Sequence, residues 1–276
     1  MGNYKIAIPS YQRSQLIKDR TLSYLAKCGA DMSEVYVFTS NVEESIAYEH
    51  SLQGVGCNIV CPTKPILNVT EKFNFLHTYF KEGTNVFVME DDIKTLVRLG
   101  KSGCKPVAQE NLAFVDKGFE YCMKAGTKLF GIIPHNNAFY MKFDVSTNLK
   151  LIVAHAYGFI SDHSKDLLVT QIGKSDYERS ILYYLKFGSI IRFNNIGVTT
   201  SSYTTEGGMD HNGRDIHEKE SCDYLVRRYP HFIKHNEKKK SMYSELSFIR
   251  VKQNKPYWDA VQEQRDLELG YGVHTS

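Results

Sequence analysis

Three consecutive acids follow an apolar run of strand length in the segment Val86-Phe87-Val88-Met89-Glu90-Asp91-Asp92. The run predicts a buried β-strand, and the acids then lie at its carboxyl end, the edge where open α/β sheets bind ligands. Adjacent carboxylates repel one another unless a cation sits among them, and hard oxygen ligands suit Mg²⁺ or Mn²⁺. Alternation along an extended chain turns Glu90 and Asp92 to one side and Asp91 to the other. The alternative is a helix cap, with Asp91 or Asp92 opening a helical turn over 93–99.

The segments before these acids alternate between strand and helix patterns. This alternation predicts an α/β fold with a mostly parallel, Rossmann-like sheet flanked by helices. The predicted strands are 4–9, 35–39, 57–61 and 85–89, and the predicted helices are 15–28, 43–52 and 69–80.

The second half of the chain continues the pattern less regularly. Helices are predicted over 111–125, 176–187 and 222–229, strands over 129–134, 139–143, 149–156 and 189–193, and a long polar loop over 199–214. The simplest organisation is one domain over 1–230, with a basic C-terminal extension over 231–276 that packs on it.

Composition excludes several classes of protein. The chain has 276 residues, 42% of them apolar, and a net charge of +3, which is typical of a globular protein rather than a polycation. Its six cysteines form no Cys-x-x-Cys motif, and no run of apolar residues is long enough for a membrane span. We therefore expect a cytoplasmic protein with reduced thiols and no membrane partner.

Three further motifs carry candidate chemistry. The turn Pro9-Ser10-Tyr11-Gln12-Arg13 closes the first strand, where Tyr11 can contact a base and Arg13 a phosphate, unless it is an ordinary strand-to-helix loop. Asp176 and Glu178 open a helix, where acids either complement the helix dipole or supply a general base. The glycine pair in Glu206-Gly207-Gly208 permits close backbone approach, and His211 is a candidate metal ligand or simply a surface residue.

Taken in order, these motifs resemble the GT-A fold of nucleotide-sugar glycosyltransferases. The closer resemblance is to the TET/JBP-associated glycosyltransferases of bacteriophages, which add sugars to 5-hydroxymethylpyrimidines in DNA. It rests on 8–13, Thr21-Leu22, Tyr48, 175–180 and 206–209 and spans roughly residues 4–230.

The resemblance implies roles for individual residues. The donor, a UDP-sugar with glucose as the expected sugar, would contact Pro9, Tyr11, Arg13, Lys72, Asn74 and Asp91. Mn²⁺ or Mg²⁺ would be held by Glu90, Asp92 and His211. Asp176 would be the catalytic base, and Glu206, Gly207 and Gly208 would lie near the acceptor.

A DNA acceptor is also consistent with the basic segment near the C-terminus. Lys238, Lys239 and Lys240 are candidate phosphate contacts, and Tyr203, Tyr157 or Phe159 could stack on an extruded base. The alternatives are a glycosyltransferase with a protein, lipid or glycan acceptor, a non-catalytic DNA-binding module on a decayed transferase core, and a nucleotidyltransferase.

Overall fold

We describe the protein from a computed structural model, which covers residues 3–101, 103–107, 112–200, 214–236 and 245–249. The first half alternates as predicted. Its strands are β1 (Lys5–Pro9), β2 (Val35–Phe38), β3 (Asn58–Val60) and β4 (Asn85–Met89). Its helices are α1 (Ser14–Ile17), continued through a π-helical turn (Lys18–Leu22) into α2 (Ser23–Lys27), then α3 (Val42–Ser51) and α4 (Val69–Tyr79).

Two of these helices begin with the same local device. The side chain of Asn41 accepts a hydrogen bond from the Glu44 backbone N–H at 2.8 Å, and Asn68 accepts one from Glu71 at 2.9 Å. An asparagine followed three residues later by a glutamate is a typical helix N-terminus, because it satisfies backbone donors that the first turn leaves open.

The second half contains strands β5 (Ile93–Gly100), β6 (Gly103–Pro106), β7 (Leu129–Ile132), β8 (Val145–Ser146), β9 (Ala156–Ile160), β10 (Ile191–Phe193) and β11 (Ile196–Thr200). The helices are α5 (Ala113–Ala125), α6 (Ser175–Phe187) and α7 (Arg214–Arg228), and strands β12 (Ile233–His235) and β13 (Leu246–Phe248) follow. In the part of the chain that the structure describes, no helix is both long and apolar enough to cross a membrane.

The main sheet has the strand order β3-β2-β1-β4-β9-β7-β10-β8. Strands β1 to β4 are parallel, whereas β9 runs antiparallel between β4 and β7. Because β7 and β10 again run parallel to β4, the carboxyl ends of these strands meet at one edge. A second sheet, β11-β5-β6, continues from that edge, since β5 begins directly after the three acids.

Alternate residues of the central strands feed two separate cores. Phe87 and Met89 pack with residues of α2, α3 and α5 on one face of the sheet. Val86 and Val88 pack with residues of α4, α6 and α7 on the other. A strand covered on both faces needs a continuous apolar run, which is why β4 was readable from the sequence.

Several predicted elements of the second half are wrong or displaced. Residues 139–143 contain a short 3₁₀ turn instead of a strand, and the strand predicted over 149–156 lies at 156–160. Residues 93–99 form β5, not a capped helical turn, and α7 begins before residue 222. Residues 199 and 200 of the predicted loop belong to β11, and residues 201–213 lie outside the described chain.

The described part of the C-terminal extension packs on the same core as the helices. Phe232, Ile233 and Leu246 are buried with side chains of α6 and α7. The boundary at residue 230 remains a prediction.

Candidate functional site

The turn after β1 is closed by hydrogen bonds around Ser10. The Ser10 hydroxyl donates to Asp91 Oδ2 at 2.6 Å and lies 2.6 Å from the Tyr48 hydroxyl. Arg13 completes the ring, because its backbone N–H donates to Tyr48 at 2.9 Å and its Nη1 donates to Asp91 Oδ1 at 3.1 Å. Asp91 therefore positions the predicted donor-binding turn, and burial raises its pKa to about 6 despite the opposing Ser10 and Arg13 contacts.

A second carboxylate ties the same turn to the end of β2. Glu44 Oε1 accepts from the Gln12 backbone N–H at 2.6 Å, and Oε2 accepts from the Ser40 N–H at 2.5 Å. Gln12 has a φ of 54°, a left-handed conformation that is uncommon outside glycine. The bond from its N–H to Glu44 holds it there.

Lys72 reaches this turn from α4. Its ammonium donates to the Ser10 carbonyl, lies 4.0 Å from Glu44 Oε2 and sits 5.5 Å from the centre of the Tyr11 ring. Burial lowers the pKa of Lys72 to about 8, against the attraction of Glu44 and Asp91. The structure thus places Lys72 beside Ser10 and Tyr11, and the Tyr11 side chain is 39% exposed.

The acid cluster is braced from the π-helical turn. Thr21 Oγ1 donates to the Glu90 carbonyl at 2.7 Å and accepts from the Ile93 N–H at 3.0 Å. This bridge spans the three acids and fixes the backbone that presents them. Asp92 is buried, at 3% exposure.

Glu90 faces a histidine that the sequence analysis did not identify. Glu90 Oε2 contacts His155 Nδ1, and the Glu90 N–H donates to the His155 carbonyl at 3.1 Å. Both side chains are 29% exposed although each lies deep among protein atoms, so they line a cleft. The charge of Glu90 raises the pKa of His155 to about 9. Burial would raise the pKa of Glu90, but His155, together with Arg13 and Arg179, holds it below its ordinary value.

Asp176 approaches the same cleft from the first turn of α6. It is partly exposed and lies within electrostatic range of His155. Burial raises its pKa, opposed mainly by Arg179 and also by the hydrogen bond of 2.9 Å from the Tyr177 N–H. A raised pKa makes the carboxylate a stronger base, as the predicted role requires.

The neighbouring acid Glu178 has a structural role. Its carboxylate accepts bonds from the Thr170 N–H and hydroxyl, each at 2.7 Å, and from the Gln171 N–H at 3.0 Å. Because these contacts use both oxygens, the geometry selects Asp176 over Glu178 as the candidate base.

Arg179 is a buried cation below this cleft. Its side chain is among the largest that are fully buried, and its guanidinium lies 3.9 Å from the centre of the Tyr157 ring. Arg179 Nη2 donates to the Ile152 carbonyl at 3.0 Å. Its charge acts on both Glu90 and Asp176, so it favours the ionised form of each carboxylate.

The residues present fit a divalent cation held jointly with a phosphate ligand. Among the described residues, no group of three His, Cys, Asp or Glu side chains is arranged to hold a metal. The predicted ligands Glu90 and Asp92 supply two carboxylates at the sheet edge, and Mg²⁺ typically uses one or two carboxylates together with substrate phosphates and water. His211, the third predicted ligand, lies outside the described residues.

Other predicted site residues are placed elsewhere or lie beyond the description. Asn74 does not reach the turn after β1, since its amide bonds both the carbonyl and the N–H of Val169, at 2.8 and 3.0 Å. Tyr157 and Phe159 are fully buried and cannot stack on a base. Besides His211, the predicted site residues that lie outside the described chain are Tyr203, Glu206, Gly207, Gly208, Lys238, Lys239 and Lys240.

Strand β11 ends close to the three acids. Thr200, the last residue of β11, is paired with Ile93, which directly follows Asp92.

Sequence reasoning missed Glu44, His155 and the buried position of Arg179. Glu44 had a readable signal, because Asn41-x-x-Glu44 is a helix-start pattern, but its second contact to Gln12 depends on the sheet. His155 stands in a segment without any local motif. Only the pairing of β9 with β4 brings it to Glu90.

The fold is shared with solved glycosyltransferases. No family model matches the sequence, and no curated protein matches it. Glucosyl-3-phosphoglycerate synthase from Mycobacterium tuberculosis, solved with Mn²⁺, UDP-glucose and phosphoglyceric acid, superposes with a TM-score of 0.52 at 11% identity over 91% of this chain and 88% of its own. The mannosyltransferase PcManGT from Pyrobaculum calidifontis, solved with GDP-Man and Mn²⁺, superposes with a TM-score of 0.51 at 10% identity, over 83% of this chain and 63% of its own. Staphylococcus aureus TarS 1–349, solved with UDP-GlcNAc, superposes with a TM-score of 0.50 at 11% identity, over 83% of this chain and 73% of its own. This likeness establishes the GT-A type fold that the sequence predicts.

Proposed function

We propose that this chain is a metal-dependent glycosyltransferase that moves a sugar from a UDP-sugar to the hydroxymethyl group of a 5-hydroxymethylpyrimidine in DNA. The observation that carries the proposal is a pair of features at the carboxyl edge of a GT-A sheet. One is the acid cluster after β4, which could hold a divalent cation together with a diphosphate, and the other is a separate carboxylate, the candidate base Asp176. The solved proteins of this fold that bind Mn²⁺ with UDP-glucose or GDP-Man support the donor class.

The nucleotide fits the turn after β1. The Tyr11 ring, 39% exposed, offers a stacking surface, and the Lys72 ammonium lies 5.5 Å from its centre. Arg13, two residues further along the same turn, adds a second positive charge. Arg13 is held by Asp91 and Lys72 by Ser10, so these groups are positioned before the ligand arrives. Preorganised cations bind a diphosphate at a lower entropic cost than mobile ones.

Glu90 and Asp92 would hold the divalent cation, together with oxygens of the diphosphate. When bound, the cation stabilises the negative charge that develops on the leaving nucleotide. His155 keeps Glu90 oriented towards the cleft through their direct contact.

Asp176 accepts the proton of the acceptor. The hydroxymethyl oxygen attacks the anomeric carbon, a new C–O bond forms, and the bond from that carbon to the diphosphate breaks. The proton of the hydroxyl passes to the Asp176 carboxylate. A single displacement of this kind inverts the anomeric centre.

The acceptor assignment rests on the motif resemblance and on the basic sequence near the C-terminus. A protein, lipid or glycan acceptor uses the same donor site and is the main alternative. The distinction lies in the acceptor alone, so the test must vary it.

The test is transfer of radiolabelled glucose from UDP-glucose to DNA containing 5-hydroxymethylcytosine or 5-hydroxymethyluracil, followed by mass spectrometry of the nucleosides. We expect a modified nucleoside that disappears with a chelator and in Asp176→Asn and Asp92→Asn. Glu178→Gln is unsuitable as a control, because it removes the bonds that hold Thr170 and Gln171 to α6. The exposed Glu43→Gln changes a carboxylate in the same way and should keep wild-type activity.

Full activity of Asp92→Asn in the presence of chelator would end the metal assignment. If calorimetry shows that UDP-glucose binds but no modified DNA receives the sugar, the donor site stands and the DNA acceptor is wrong. The acceptor would then be a protein, lipid or glycan.

A further inference from the structure

The buried face of α7 changes from polar to apolar along the helix. Residues at helical spacing on this face are each at most 6% exposed, namely Glu218, Ser221, Cys222 and Leu225. Cys222 and Leu225 pack in the same core as the apolar side chains of α6. Glu218 and Ser221 instead bury a carboxylate and a hydroxyl, which is unfavourable unless each meets a polar partner. Their partners therefore indicate what this part of α7 does.

These partners are the two residues that precede α6. Ser221 Oγ accepts a hydrogen bond from the Gly173 N–H at 3.1 Å, and Glu218 Oε2 lies 2.5 Å from Lys174 Nζ. The pair is largely buried, since the side chain of Lys174 is 14% exposed and that of Glu218 9%. Gly173 lies against α7 so closely that an added Cβ would be 2.9 Å from the His217 carbonyl oxygen. We call the contacts of Ser221 and Glu218 with these two residues the α7 clamp.

Lys174 has a backbone conformation that favours glycine. Its φ is 56°, in the left-handed region. In this conformation its carbonyl accepts the first bonds of α6, from the Tyr177 N–H at 3.0 Å and the Glu178 N–H at 3.2 Å. Such a conformation persists where the surroundings hold it, and the contact with Glu218 does so. Burial lowers the pKa of Lys174, but Glu218 outweighs this and the net shift is upward, so the ion pair is charged.

The α7 clamp lies two residues before the candidate base. Asp176 stands in the helical turn whose first bonds go to Lys174, and its Oδ1 accepts from the Tyr177 N–H at 2.9 Å. A rotation at Lys174 would therefore change the direction in which this turn presents the Asp176 carboxylate.

We propose that the α7 clamp positions Asp176 for proton transfer, with Lys174 and Glu218 as positioning residues. This inference rests on the proposed function, in which Asp176 is the base. Stability alone explains the ion pair poorly, because replacing a buried pair with apolar residues is often neutral or stabilising. Position matters more, because a base must lie within hydrogen-bond reach of its proton, and a displacement of about 1 Å can lower a rate by about 100-fold.

The test is steady-state kinetics of glucose transfer by the full chain, together with hydrogen exchange of the peptide 172–178 followed by mass spectrometry. The main variant, Lys174→Gly/Glu218→Gln, removes both charges and places glycine at the left-handed position, so no unpaired charge remains buried. We expect kcat to fall by about tenfold or more, while KM for UDP-glucose changes by less than about twofold. Exchange in 172–178 should become about fivefold faster or more, because the first turn of α6 opens more often.

The matched control is an ion pair near the other end of the same helix. Lys186 lies 3.0 Å from Asp166, and Lys186→Gln/Asp166→Asn should keep wild-type kinetics and wild-type exchange in 172–178. Glu218→Asp is a milder variant that keeps the charge and shortens its reach, and it should lower kcat by about threefold. It provides the measurement if the double variant does not fold, and circular dichroism with thermal unfolding establishes which variants are folded.

Wild-type kcat in a folded clamp variant would overturn the inference, as would an equal loss of kcat in Lys186→Gln/Asp166→Asn. Absence of sugar transfer by wild type would overturn the proposed function instead. The exchange measurement would then still decide whether α7 restrains the first turn of α6, and unchanged exchange in the clamp variants would show that it does not.

Discussion

Arg179 holds a full positive charge in a place where water does not compensate it. Its guanidinium stacks on Tyr157 and donates a hydrogen bond to the Ile152 carbonyl. A buried cation is costly unless negative charge lies nearby, and here Glu90 and Asp176 respond to it. The charges of these two carboxylates offset part of the cost of burying Arg179, and Arg179 in turn favours the ionised form of both.

We therefore expect Arg179→Met to raise the pKa of Asp176 further, because the charge that lowers it is removed. The acid limb of the kcat profile against pH should move upwards by the same amount, because the base is protonated over a wider range. Arg179→Lys, which retains the charge, should move it less. A profile that keeps its position while kcat falls at every pH would assign Arg179 to packing alone.

Under the proposed function, Glu44 would affect donor binding through the backbone of the turn after β1. It holds the Gln12 and Ser40 N–H groups and lies near Lys72, but it does not touch the acid cluster. We expect Glu44→Ala to raise KM for UDP-glucose by about tenfold, equal to the loss of about 1.4 kcal/mol, with a smaller change in kcat. Initial rates at varied donor concentration measure the split. A loss confined to kcat would contradict this positioning role.

The residues that sequence could identify are those with local patterns. The acids after β4 stand out because they follow a continuous apolar run, and the carboxyl ends of parallel strands are where open α/β sheets bind ligands. The choice between Asp176 and Glu178 was not readable, because the two stand in the same helical turn and differ only in what the segment around Thr170 offers them. His155 has no pattern at all, since strand pairing alone places it.

At the level of elements, the displaced strand shows how side chains override propensity. Residues 149–156 look extended and apolar, yet the Ile152 N–H and carbonyl are bonded by Ser180 and Arg179 of α6. Backbone groups already satisfied by side chains do not need a neighbouring strand. The strand therefore starts only at Ala156, where pairing with Met89 begins.

The packing of strand β9 also depends on a glycine, Gly158, which has no side chain. A Cβ added at Gly158 would lie 2.0 Å from the Phe130 ring, and one at Gly118 of α5 would lie 2.5 Å from the same ring. Glycine at both positions lets Phe130 fill the space between helix and sheet.

We expect Gly158→Ala to destabilise the protein by about 1–3 kcal/mol through overpacking. Urea unfolding followed by circular dichroism measures the change. Adding Phe130→Leu should recover part of the loss, because the smaller side chain leaves room for the methyl group. Additive destabilisation in the double variant would show that the clash with Phe130 is not the cause.

For the whole molecule, alternation of strand and helix patterns was enough to predict a parallel α/β sheet. It was not enough to predict the antiparallel β9 or the β11-β5-β6 sheet. Parallel strands buried on both faces leave long apolar runs, whereas β5 mixes Lys94 and Arg98 with apolar residues. A strand with such mixed faces was indistinguishable from a short helix without knowledge of its partner.

One histidine makes the stability of the whole fold depend on pH. His77 of α4 is buried among aromatic rings, with its Nε2 3.1 Å from the Tyr157 hydroxyl and its Nδ1 3.3 Å from that of Tyr183. Burial lowers its pKa to about 3, and the charge of Arg179 adds to the effect. The native protein therefore keeps His77 neutral under conditions where the unfolded chain protonates it.

Between pH 6.5 and about 3 the unfolded state binds one proton more than the native state at this position. The free energy of unfolding should fall as pH decreases through that window, by up to about 1.4 kcal/mol per pH unit from His77 alone, and should be unaffected by His77 above it. In His77→Gln the protein loses stability at neutral pH, since an amide does not fill the site as the ring does, but the fall with acidity becomes shallower by that amount. The exposed His50→Gln serves as the matched control and should keep the wild-type slope. Equal slopes in wild type and His77→Gln, measured by urea unfolding from pH 7 to pH 4, would show that His77 shares the same proton affinity in both states and that its burial does not govern acid stability.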